Sequence, residues 1–187
     1  MITTTFASNN SQNGNMFDVV VGSSGLTVTA LDLNLQNGNA NLELWVRSGT
    51  WVGFSGSSAG WTLVDTASIS SAGGDTPSFW DVSDFTLGAN ATTGFYVTAT
   101  NSWMNYTNGT GVGNVFSSNS DLSILEGAGK AYSFAAEFVP RVWNGTIYYN
   151  SNTVPEPASL TLWSLGLVGM SFVRLRARQS QSPSNLS

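Results

Sequence analysis

The sequence predicts an all-β protein: an antiparallel β-sandwich, jelly-roll-like, followed by one C-terminal transmembrane helix. Three observations lead there. Apolar residues recur at every second position in about eight to ten segments, with no helical period before residue 158. Loops rich in Gly, Ser and Asn separate those segments. An uncharged run, Ala158 to Val173, then ends against arginines. Alternation gives each sheet one apolar and one polar face, which suits antiparallel pairing, and two such sheets bury their apolar faces against each other.

In chain order, Asn9 to Asn15 reads as a turn-rich loop, and Met16 to Val21 as a strand with Phe17, Val19 and Val21 on one face. Leu26 to Leu35 changes parity midway. Leu26, Val28 and Ala30 share one face, whereas Leu31, Leu33 and Leu35 share the other. A β-bulge near Ala30-Leu31 explains that shift, as would two separate short strands. Gln36 to Asn39 is a hairpin signal. Leu42, Leu44 and Val46 then point inward, with Glu43, Trp45 and Arg47 on the opposite face.

Further strands are expected at Trp61 to Ile69, Phe95 to Thr100, Leu122 to Ile124, Tyr132 to Phe138 and Thr146 to Tyr149. The stretches Gly53 to Gly60, Ser70 to Ser78, Asn101 to Asn114 and Glu126 to Lys130 read as loops. Residues 1–150 thus form the expected sandwich. Residues 151–157 are a linker with a Pro-Glu-Pro box, 158–173 the transmembrane helix and 174–187 a basic cytoplasmic tail.

Composition narrows the functional classes. Charged residues are 9% of the chain, against roughly 25% in an average soluble protein. Residues 1–153 hold ten Asp or Glu against three basic residues (Arg47, Lys130, Arg141), a net charge of −7. Nucleic acid is therefore not an expected partner, because its binding depends on Lys and Arg at the phosphates. The chain has no cysteine and no histidine. That removes disulfides, thiol nucleophiles, the usual general base near neutral pH and the commonest metal ligand.

The C-terminal segment has three parts. Val154-Pro155-Glu156-Pro157 is stiff, since proline fixes φ and restricts its predecessor. Ala158 to Val173 is sixteen residues, roughly 24 Å as a helix, short for a hydrocarbon core of about 30 Å. Arg174, Arg176 and Arg178 can snorkel to the headgroups, and a basic flank stays cytoplasmic, which places residues 1–150 outside.

This order resembles the PEP-CTERM sorting signal, which is read by exosortase, a membrane-embedded cysteine protease or transpeptidase. The resemblance covers about 25 of the 187 residues. It implies recognition at Pro155, Glu156 and Pro157, insertion of 158–173 into the inner membrane, and a stop at Arg174, Arg176 and Arg178. Ser117 to Ile124 and Arg141 to Asn150 also resemble segments of uncharacterised members. Export requires a signal peptide, and Met1 to Asn10 contains neither a basic start nor an apolar stretch. The true start is therefore expected upstream.

Candidate sites in residues 1–150 are few. Trp45, Trp51 and Trp103 could stack on sugar rings, or pack beneath loops as large aromatics commonly do. Asp81 with Asp84, or Asp121 with Glu126, could be imagined as a glycosidase pair. Asp75, Asn119 and Asp121 could offer oxygens to a hard cation, although no EF-hand spacing is present. The turn reading is preferred for Asp81 and Asp84 and for the cation candidates, and nothing in the sequence defines the cleft a glycosidase pair needs, so no catalytic residue, metal or cofactor is expected. The expected function is that of a non-catalytic surface or matrix protein, with exosortase, the inner membrane and exopolysaccharide as partners. A carbohydrate-binding module using the tryptophans is the alternative.

Overall fold

Large apolar side chains recur on one parity in Gly14–Val21, Asn39–Ser48 and Thr92–Ala99, and these three strands are neighbours in the larger of two sheets. The computed structural model describes residues 1–152. The Pro155-Glu156-Pro157 box, the expected helix at 158–173 and Arg174, Arg176 and Arg178 lie outside the described residues.

The described residues form fourteen strands and no helix. They are β1 (Ile2–Thr3), β2 (Asn10–Gln12), β3 (Gly14–Val21), β4 (Leu26–Asn34), β5 (Asn39–Ser48), β6 (Thr62–Ser70), β7 (Pro77–Leu87), β8 (Thr92–Ala99), β9 (Met104–Asn108), β10 (Val115–Ser118), β11 (Leu122–Leu125), β12 (Gly127–Lys130), β13 (Glu137–Trp143) and β14 (Gly145–Ser151). One sheet runs β1-β14-β4-β7. The other runs β2-β9-β13-β12-β3-β8-β5-β6, with β10 attached through β11 to β3. Every pairing between these strands is antiparallel.

One apolar core joins the two sheets. Phe17, Val19, Leu42, Leu44, Phe95 and Val97 come from the larger sheet, and Val28, Leu31, Leu33, Trp80 and Ile147 from the smaller. Phe17 stacks between Trp143 at 4.7 Å and Phe95 at 5.4 Å. Burying such side chains contributes about 1.5–3 kcal/mol each. At one edge Asp65 of β6 accepts the Ser83 amide of β7 at 2.8 Å, linking the two sheets.

The parity shift in β4 is a register break within one continuous strand, between Val28 and Ala30 against both neighbours. Leu31 and Leu33 thereby return to the core. Other stretches differ from expectation. The 77–87 stretch is a full strand, in which Ser78, Trp80 and Val82 face inward while Phe79 and Asp81 face outward. Strand β9 lies inside the expected loop 101–114, and β12 replaces the expected loop 126–130. Residues 132–136, expected as a strand, form a turn whose Ala131 amide donates to the Ala136 carbonyl at 2.9 Å.

Candidate functional site

The outer face of the larger sheet is not uniformly wet. Met16, Tyr96 and Ala128 point away from the main core by parity, yet are buried by Trp51, Trp61 and Phe134 from the connecting loops. Trp45 packs against this second cluster, edge-on to Phe134 at 5.6 Å. Trp61 and Tyr96 also meet Phe134, at 5.9 and 4.9 Å. Edge contacts of this type suit the aromatic quadrupole.

Two devices bring the loops down onto the sheet. Asp18, buried on β3, accepts the Thr50 hydroxyl at 2.5 Å and the Trp51 amide at 2.9 Å. Its burial raises its pKa, partly offset by those donors and by Arg47. On β8, a Cβ at Gly94 would lie 2.9 Å from the Trp51 nitrogen, so only glycine leaves room for the loop. On the other side Lys130, 1% exposed, donates to the Ala135 carbonyl at 2.5 Å. Its amine is pushed below the usual lysine range by burial. The turn it holds places Phe134 at φ 55°, strained for a bulky side chain and offset by burial in the cluster.

Beside the aromatic cluster the same face becomes polar. Ser68 donates to Asn41 at 2.6 Å and Ser70 to Asn39 at 2.8 Å, pairing β6 with β5 across the sheet surface. A groove of about 420 Å³ runs over this surface, its polar lining being Asn41, Glu43, Thr66, Ser68 and Thr100. At Glu43 the groove meets the aromatic cluster. One Glu43 oxygen accepts the Trp45 indole N–H at 2.9 Å and the other the Tyr132 hydroxyl at 3.1 Å. Tyr132, 41% exposed, has its pKa raised by desolvation and by that carboxylate.

The three tryptophans singled out from sequence part ways. Trp51 is 4% exposed and belongs to the packed cluster, so its ring cannot offer a face to a sugar. Trp45 is half-buried beside it. Trp103 is 49% exposed in the β8–β9 connection. Glu43 and Tyr132 carried no sequence signal as site residues, because the hydrogen bond joining them spans 89 positions.

The acids sort into structural tasks. Glu126, 5% exposed, sits between β11 and β12 and accepts the Thr110 and Gly111 amides, the latter at 2.8 Å, and the Thr110 hydroxyl at 3.0 Å. Asp121 accepts the Tyr149 hydroxyl at 3.0 Å, and Asn119 accepts the Asp121 and Leu122 amides in a turn. Asp75, at φ 60°, accepts the Ser8 hydroxyl and amide and the Asn34 side-chain amide. Its pKa is lowered chiefly by Ser8 and then by Asn34. Asp81 and Asp84 are exposed on β7 rather than at a turn. Among the described residues no group of three or more acids gathers as a metal site.

Fold and site together define a two-sheet antiparallel β protein with a polar surface groove beside an aromatic cluster. No family model matches the chain, and no curated protein or solved structure matches it either.

Proposed function

We propose that the chain is an exported, non-catalytic surface or matrix protein, sorted by a C-terminal signal of the PEP-CTERM type. The observation that carries the reading is the order of parts after residue 153: Pro155-Glu156-Pro157, the apolar run 158–173, then Arg174, Arg176 and Arg178. The arginines stop translocation, the apolar helix holds the chain in the inner membrane, and the stiff proline segment is presented to exosortase at the outer boundary. After processing the body is released to the cell surface or matrix.

The body fits that role. We read its two sheets as a jelly-roll-like sandwich, in which β1 and β14 are neighbours although they lie at opposite ends of the described chain. Glu126, Asp121, Asp75 and Asp18 are committed to backbone and hydroxyl donors, which supports a non-catalytic body. The polar groove favours association with exopolysaccharide as the body's task, in place of stacking on Trp51.

The test is made in an exosortase-bearing host, with Pro155→Ala, Glu156→Ala and Pro157→Ala combined. The variant is expected to stay membrane-held at its full mass while the parent chain is shortened and released. Normal processing of the variant would overturn the reading.

A further inference from the structure

We propose that the groove over β5 and β6 binds a neutral polysaccharide, with Asn41, Glu43 and Ser68 as its hydrogen-bonding floor and Tyr132 as a wall at the Glu43 end. The ligand's class rests on the matrix reading above; the residues and the charge selection come from the groove itself. It is an open groove of about 420 Å³ with mainly polar lining, which suits a chain lying along the sheet surface rather than an enclosed small ligand.

Sugar recognition needs planar side chains that satisfy neighbouring hydroxyls, held still before the ligand arrives. Asn41 and Glu43 occupy alternate positions on β5, so both stand on the same face of the sheet. Asn41 is fixed by the Ser68 hydroxyl at 2.6 Å, and Glu43 by Trp45 and Tyr132 at 2.9 and 3.1 Å. A carboxylate has about four lone-pair directions, so each Glu43 oxygen keeps capacity for a sugar hydroxyl. The remaining polar lining, Thr66 and Thr100, adds hydroxyls that act as donor or acceptor.

Tyr132 is not a loose side chain. Its backbone amide donates to Asn13 at 3.2 Å, and the turn that carries it is tied down by Lys130 on Ala135 and by Phe134 in the aromatic cluster. An exposed ring on an anchored turn offers a flat apolar face at little entropic cost.

Charge selects among glycans. The only ionised group in the groove lining is Glu43, and residues 1–153 have a net charge of −7. Uronate or sulfated chains are repelled, and no Lys or Arg lines the groove to receive their anions. Glu43 keeps its charge while accepting these two bonds, so a cationic glycan would be drawn by attraction alone, and the hexaglucosamine arm below separates that outcome from recognition of neutral hydroxyls.

The experiment titrates the full chain in detergent micelles with neutral hexasaccharides (cello-, laminari-, manno-, xylo- and malto-series), hexagalacturonate and hexaglucosamine, by calorimetry and on a printed array. Binding of at least one neutral series and no binding of hexagalacturonate is expected. Glu43→Gln and Ser68→Ala are each expected to weaken that binding about tenfold, the equivalent of one hydrogen bond. Trp103→Ala, outside the groove lining, should leave it unchanged. Ser68→Ala alters one exposed hydroxyl, so a folded variant is secured even where Glu43→Gln disturbs the loop. Failure to bind any neutral series, preference for either charged oligosaccharide, or unchanged affinity in both groove variants would overturn the proposal. Processing by exosortase is measured separately in cells, so the two readings fail independently.

Discussion

The Asp18 carboxylate accepts the Trp51 amide at 2.9 Å across 33 positions of sequence, and this bond turns a loop tryptophan into a packed one. With Thr50 on its second oxygen, Asp18 fixes the β5–β6 connection onto the outer face of β3 and β8. Asp18→Ala is expected to cost about 2 kcal/mol, because the buried Trp51 amide and the part-buried Thr50 hydroxyl lose a charged acceptor. Trp51 should then become accessible to acrylamide quenching. An unchanged urea midpoint and unchanged quenching would show that the loop is held by its apolar contacts alone.

Glu126 holds the 109–114 loop in the same manner, with two amides and one hydroxyl on a carboxylate that is 5% exposed. Glu126→Ala is expected to destabilise by about 3 kcal/mol. Hydrogen exchange should accelerate at Thr110 and Gly111 well before global unfolding. Protection of those two amides at the parent level would refute the assignment.

Asp75 provides the pH dependence. Its folded pKa is below the ordinary 3.8, chiefly through Ser8 and then Asn34. A depressed carboxylate contributes stability that is complete above the unfolded value and lost as pH falls through the folded one. The stability gap between the parent chain and Asp75→Asn should therefore be constant above about pH 5 and close as pH drops below 3.8. Urea midpoints from pH 2 to 6 check this. A gap that widens on acidification would reverse the sign and refute the account.

Much of the fold was legible because β3, β5 and β8 each carry large apolar side chains on one parity, and local pattern suffices for such strands. The break in β4 was legible too, since a parity change has few other causes. Where partners are distant, the pattern misleads. Strand β7 places Ser78 inward and Phe79 outward, which inverts its hydrophobic signal. Gly127 to Lys130 carries almost no apolar side chain, yet it is a buried strand because close neighbours leave no room for more: a Cβ on Gly129 would lie 2.7 Å from the Tyr106 ring. Tyr132, Phe134, Ala136 and Phe138 alternate as a strand would, but Lys130 binds Ala135 and the segment turns.

The candidate site was half legible. Parity places Glu43 and Trp45 together on the outer face of β5, which the structure bears out. That this face carries a second apolar layer was not readable, since Trp51, Trp61 and Phe134 reach it from loops. Tyr132 and Ser68 entered the site through bonds spanning 89 and 27 positions.

The three basic residues of the body have one more consequence. Lys130 is buried, the Arg47 guanidinium lies 3.5 Å over the Phe54 ring, and Arg141 sits within paired β13 donating to the Pro140 carbonyl. Trypsin-like proteases require an extended, accessible Lys or Arg, and none of these three sites supplies one without opening a sheet or loop. The folded body, residues 1–152, is thereby a poor substrate for that class of enzyme.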